Sequence, residues 1–377
     1  PRAPAADTPP PSPSPTTAME EPRDDVEREL ADAFGDLLGV RRPGLDADFF
    51  ELGGHSLLAV RLFARVHRRF GVDLELATLL SAGSVRALAG VVRAALGTPG
   101  PDDAPRHAPP TRIGRHVVPI RTGGARPNLF LVHGAGGNVL GFRELAHHLG
   151  PDQPLYGLQA RGVDGRQPPH GSIDEMAEAY LAEVRDVQPR GPYYLGGYSG
   201  GGIVAFEMAR RRRAAGEDVP FVGLIDSPCP QMQRRGPVAR ALVHVGRLAQ
   251  RGPGYPLGIL RTKLGRWSAA RDARRARADD GSTPPECRGF AVQRAFERAF
   301  ERHEVGAYDG RVWLFRAEQQ QLGTRFVFDE SLGWAPFARG GLVVEACPGD
   351  HFTMCAEPNV QTLCERLAAA LRAATAG

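Results

Sequence analysis

Gly197-Tyr198-Ser199-Gly200-Gly201 sets a serine among glycines at G-x-S-x-G spacing. An apolar, strand-like run, PYYLGGY, leads into it, and the stretch from Ile203 to about Arg213 reads as a helix. On a sharp strand-to-helix turn a serine can attack a carbonyl, and glycines at 197 and 201 remove side chains that would collide there. A hydroxyl is a weak nucleophile and needs a base held by an acid. Asp226 ends the apolar run PFVGLID, and His351 lies in PGDHF after the run GLVVEAC. Acids at the carboxyl ends of parallel strands face the crevice where ligands bind. Ser199, Asp226 and His351 are therefore the expected nucleophile, acid and base, in that chain order. Asp350 is a rival acid, but it adjoins His351 and reaches poorly to the ring's far nitrogen. The loop LVHGAGGN offers an oxyanion donor, the N–H of Ala135, to pair with that of Gly200 at the helix start. His133 reads as a structural donor, and Cys347 and Cys355 as core residues.

A second serine, Ser56, lies in DADFFELGGHSLLAVRL. Leu58 stands where an elbow would need its second glycine, so this is no nucleophile turn. Leu58, Leu62, Val66 and Phe70 instead make a helical stripe, with Ser56 at its start, where a helix N-terminus stabilises an attached phosphate.

These residues fall in two blocks. Pro/Ala/Ser/Thr-rich sequence over 1–22 and 98–116 reads as linker around a small block, 23–97, followed by a large one, 117–377. Proline-rich sequence at Pro1 gives the chain the look of a piece of a longer polypeptide. In the small block, Asp24 and Glu27 suggest a capping box, with Val26, Leu30, Phe34 and Leu37 on one helical face behind it. Ser84 caps a helix carrying Val85, Leu88, Val92 and Leu96, and a short helix is expected near 75–80. The expectation is a four-helix antiparallel bundle. In the large block, NLFLVHG, PLYGLQA, PYYLGGY, PFVGLID, GRVWLFRA and GLVVEACPG are strand-length apolar runs. Helices near 139–149, 172–187 and 200–216 separate the first four, the rhythm of a mostly parallel sheet covered on both faces. Between Asp226 and Arg311 the rhythm breaks, and an insertion, about 230–300, is expected over one edge of the sheet.

Composition narrows the function classes. With 377 residues, 42% hydrophobic and 24% charged, the chain is an ordinary globular one. A net charge of +4 gives no reason to expect nucleic acid. Five cysteines, without a C-x-x-C pair, argue against a disulfide framework or a metal site and for a reducing cytoplasm. No run of about twenty apolar residues predicts a membrane span. Lys263 is the single lysine among many arginines. Residues 234–278 hold twelve basic residues against one acid, Asp272, which reads as a solvated amphipathic helix before it reads as a contact for a phosphate, an acidic protein face or a substrate carboxylate.

DADFFELGGHSLLAVRL resembles the carrier motif of nonribosomal peptide synthetases. HGAGGN, GGYSGGGIVAFEMA, LIDSP and PGDHFTM resemble the type I thioesterase that ends such assembly lines, an α/β-hydrolase with a helical lid. The resemblance implies a 4'-phosphopantetheine arm on Ser56, installed by a phosphopantetheinyl transferase, and adenylation or condensation domains upstream. It implies that an acyl or peptidyl chain passes from that arm to Ser199 and leaves by hydrolysis or macrocyclisation, as in antibiotic and other secondary-metabolite synthesis. Transfer to an external acceptor, and a silent carrier-bearing interaction module, remain as alternatives.

Overall fold

In the computed structural model, the described residues are 21–98, 115–233, 235–238, 245, 248, 285–320, 327 and 329–376. Nearly all of the arginine-rich run, and most of both expected linkers, lie outside them.

The small block folds as α1 (Asp25–Leu38), α2 (Ser56–Phe70), a 3-10 turn (Leu76–Leu80) and α3 (Val85–Leu96). Each α-helix ends at a glycine in the left-handed conformation, Gly39, Gly71 and Gly97, which halts the helix without a Cβ penalty. Asp24 accepts from the Glu27 N–H at 2.8 Å, but the Glu27 carboxylate turns to the Arg23 N–H, so the box is only half closed. The fourth helix shrinks to a 3-10 turn. Leu30, Phe34, Leu62, Val66, Leu88 and Val92 form the buried core on the faces the periodicity marked.

The large block is a seven-stranded sheet in the order β1-β3-β2-β4-β5-β6-β7. Its strands are β1 (Val117–Arg121), β2 (Leu129–Val132), β3 (Leu155–Leu158), β4 (Tyr194–Tyr198), β5 (Phe221–Ile225), β6 (Val312–Gln319) and β7 (Leu342–Asp350). All neighbours run parallel except β1, antiparallel to β3. That edge strand was not expected from the sequence. It is short and holds Pro119, which edge positions tolerate. One face carries α5 (Ile173–Val187) and α6 (Gly201–Ala214), packing Tyr180, Ile203 and Phe206 on the sheet. The other carries α4 (Phe142–Leu149) and α8 (Asn359–Ala376), packing Leu145, Leu363 and Leu367. With both faces covered, β2 and β5 are buried at every residue.

Between β5 and β6 the longest described stretch of the insertion is the helix α7 (Pro285–Arg302). It does not lie over a sheet edge. β5 and β6 are hydrogen-bonded neighbours, and Phe296 of α7 sits against Gly200 and 6.0 Å from the His133 ring. Through Phe296, α7 lies above the carboxyl ends of β2 and β4. There the strand order reverses, which is where open α/β sheets bind ligands.

Candidate active site

The turn after β4 is as tight as its glycines suggest. A Cβ at Gly197 would fall 2.3 Å from the Gly201 backbone, and one at Gly201 would fall 2.2 Å from the His133 carbonyl oxygen. Ser199 itself has φ +54°, a conformation non-glycine residues rarely hold. Its N–H donates to the Ile225 carbonyl at 2.8 Å, which ties the strained turn to β5. The side chain is half-buried at the mouth of the β2–β4 crevice.

Asp226 follows β5 and is fully buried, also at positive φ (+42°). Its Oδ2 lies 2.7 Å from His351 Nδ1, and its Oδ1 accepts from the Ala317 N–H and from Gln320 Nε2, both at 2.9 Å. Burial pushes the carboxyl pKa up. The hydrogen bonds of His351, Ala317 and Gln320 outweigh that and hold it below the ordinary value. An ionised carboxylate can only accept, so Nδ1 of His351 carries the proton and Nε2 is left with the lone pair a base needs. Asp350 takes a different role. Its Oδ1 accepts from Phe352 N–H, Thr353 N–H and Thr353 Oγ1, closing the turn that holds His351.

Two supports were not legible in the sequence. Tyr198, the variable residue of the elbow, stacks on the His351 ring at 5.3 Å and 20°, and its hydroxyl donates to the His351 carbonyl at 2.5 Å. Gln320 reaches Asp226 from just beyond β6 and also donates to the Ala317 carbonyl at 2.8 Å. An aromatic beside a nucleophile was a weak signal for the first. The second carries none, because a lone glutamine acquires its meaning from the β5–β6 pairing.

The loop after β2 runs beside Ser199. A Cβ at Gly134 would lie 3.7 Å from the Ser199 Cβ, so the loop backbone next to Ala135 passes close to Ser199. His133 fixes that loop. Its Nδ1 lies 2.6 Å from the Gly134 carbonyl and must donate to it, so Nε2 accepts from the Tyr180 hydroxyl at 2.7 Å. Burial lowers the His133 pKa to about 4 and keeps the ring neutral. Cys347, Cys355 and Cys364 belong to the core under α8, and burial raises the Cys347 and Cys364 thiols to about 11 and about 12.

Ser56 is half-buried and is the first residue of α2. The turn before it has Gly53 at φ +92°, and Gly54 lies so close to Phe49 that a Cβ would overlap the ring at 2.3 Å. His55 at the N-cap makes no side-chain capping bond. The Ser56 hydroxyl therefore stands at a helix start beside a side-chain-free turn, a setting suited to a phosphodiester.

The thioesterase domain family matches residues 127–371, and the phosphopantetheine attachment site family matches residues 28–92. The chain belongs to the thioesterase domain family. Its chemistry is that of a serine-hydrolase-type thioesterase on an α/β-hydrolase fold, and its carrier region indicates a covalently attached 4'-phosphopantetheine. Chondramide synthase cmdD of Chondromyces crocatus is 30% identical over 92% of this thioesterase chain and 9% of its own length. Malpibaldin synthetase of Mortierella alpina is 41% identical over 56% of this chain and 4% of its own length. The chain thus spans a small fraction of the curated relatives it matches. Among solved structures, the holo form of a four-domain nonribosomal peptide synthetase bound to AMP and glycine covers 95% of this chain and 27% of its own. It does so at TM-score 0.55 and 28% identity. Among the described residues, no helix is long and apolar enough to cross a membrane, and no group of three His, Cys, Asp or Glu could hold a metal.

Proposed function

We propose that this thioesterase ends a nonribosomal peptide assembly line, taking an acyl or peptidyl chain from its own carrier and releasing it. The observation that carries the reading is the presence, on one polypeptide, of a phosphopantetheine-type carrier and a strained serine elbow beside a hydrogen-bonded Asp226–His351 pair. Ser56 would be the attachment residue, and the arm would present the chain as a thioester. Ser199 Oγ then bonds to the carbonyl carbon while His351 Nε2 takes its proton. Asp226 stabilises the resulting imidazolium, and the Ala135 and Gly200 N–H groups hold the oxyanion. His351 gives the proton to the departing sulfur as the C–S bond breaks, leaving an ester on Ser199. In the second step water, or a nucleophile within the chain, loses its proton to His351 and attacks that ester. His351 returns the proton to Ser199 Oγ, and the product is an acid or a ring. Domains for activation and condensation upstream, a phosphopantetheinyl transferase and a cytoplasmic location complete the proposal.

The test loads Ser56 with an acylated arm from an acyl-coenzyme A and a phosphopantetheinyl transferase. Release is then followed by mass spectrometry. The parent should free its cargo while Ser199→Ala retains it on the carrier; equal release from both would refute the assignment.

A further inference from the structure

The carrier lies on the thioesterase in this structure, and three ion pairs among the described residues cross the contact with the same polarity. Arg143, in the first turn of α4, places Nη2 3.2 Å from Asp48 Oδ1 and its guanidinium 4.9 Å from the centre of the Phe50 ring. Arg288 of α7 pairs with Asp73 at 3.1 Å, and Arg166 reaches Glu75 at 4.0 Å. In all three the carrier supplies the acid and the thioesterase supplies the arginine. Apolar side chains fill the space between them. Leu140 joins the carrier's core, Ala77 joins the core under α4, and Leu76 packs on Ala160, Val163 and Val292.

Arg143 differs from the other two arginines in what it meets. Asp48 is held by its own loop, where Oδ1 also accepts from Phe50 N–H at 2.9 Å and Glu51 N–H at 3.3 Å. Phe50 is braced edge-on by Phe49 at 5.4 Å. The carboxylate and the ring are thus preset, so a guanidinium can engage both with little ordering cost on the carrier side. Both belong to the loop that leads into Ser56, while Arg143 stands just beyond the loop that carries Ala135.

We propose that Arg143, Arg166 and Arg288 form a charge-polarised recognition surface for the carrier. In it Arg143 is the positioning residue that selects a carrier presenting an acid and an aromatic ring two residues apart ahead of its arm-bearing serine. The surface deepens the proposed function and rests on it, since it matters only if cargo travels from Ser56 to Ser199. Arg143 does not touch the reacting atoms. It sets how often the loaded arm is aimed at them.

The experiment compares two substrates in the full chain: the acyl group borne on Ser56, and the same acyl group as a soluble N-acetylcysteamine thioester. Arg143→Ala should lower the ratio of carrier-borne to soluble turnover by about tenfold, the size of one ion pair combined with one cation–π contact. Arg143→Lys keeps the charge but loses the planar stack, and should recover part of that ratio. Arg288→Asp should lower the ratio too, and adding Asp73→Arg should restore it. In the parent, raising salt from 50 to 500 mM should lower the ratio, because exposed pairs are screened. An unchanged ratio in Arg143→Ala, equal loss on both substrates, or no rescue by the Arg288/Asp73 exchange would overturn the surface. If the parent itself releases nothing from Ser56, the proposed function fails, independently of any arginine.

Discussion

Asp226 is the residue on which the site's electrostatics turn. It is wholly buried, yet its pKa is lowered because three donors hold the ionised form. A carboxyl with a depressed folded value contributes stability that is present above its unfolded pKa, near 3.9, and is lost as pH falls through the folded value. Asp226→Asn removes this titration. Between about pH 5 and pH 2, where carboxylates titrate, the variant should lose less unfolding free energy than the parent. Denaturant titrations at a series of pH values would read this, and parallel curves would show that Asp226 is not held as the structure shows. The same substitution should cut release by about 10³–10⁴-fold, because a neutral amide no longer fixes the His351 tautomer. Motif and chain order marked Ser199, Asp226 and His351 as candidates, and the structure pairs the last two by a hydrogen bond. Gln320 and Tyr198 could not be marked in this way, since each acts on a partner far away in sequence.

At the scale of elements, what matters is how closely α6 can approach β2. The proposed chemistry works only if the helix start, the proposed oxyanion loop and Ser199 share a few ångströms. Gly201 permits this, because any Cβ there would meet the His133 carbonyl at 2.2 Å. The obstacle is backbone, which cannot swing aside as a flexible side chain would. Gly201→Ala should therefore destabilise the fold by about 1–3 kcal/mol as an overpacked contact. It should also lower release far more than that loss explains, because α6 and the Ala135 loop must part. Soluble-thioester kinetics alongside thermal unfolding would separate the two effects; wild-type turnover would mean the contact is not needed. Periodicity made α1, α2, α3 and the parallel strands legible in the sequence. It missed β1, a short edge strand with a proline, and did not place α7 over the ends of β2 and β4, because the adjacency of β5 and β6 depends on strand order rather than on any local pattern.

For the molecule as a whole, the question is what brings Ser56 and Ser199 together. The ion pairs of Arg143, Arg166 and Arg288 are at least partly exposed, and pairs of that kind contribute about 0–1 kcal/mol each. The ion pairs can choose an orientation but by themselves do not hold two domains together at micromolar concentration. Proximity is then expected to come mainly from the covalent connection, the segment 98–116 that the sequence marks as a linker. A covalent tether of short length supplies an effective concentration of order millimolar. The expected consequence is specific. With a protease site inserted in 98–116 and cut after folding, release should change from a first-order process to one proportional to protein concentration. At about 1 μM it should fall by roughly 10²–10³-fold, the ratio of millimolar to micromolar. Arg143→Ala should then slow the cut protein by the same factor as the intact one, because tether and surface act on separate steps. If the cut chain releases cargo at the intact rate at every concentration, the surface alone holds the domains. The arginines would then supply affinity as well as aim.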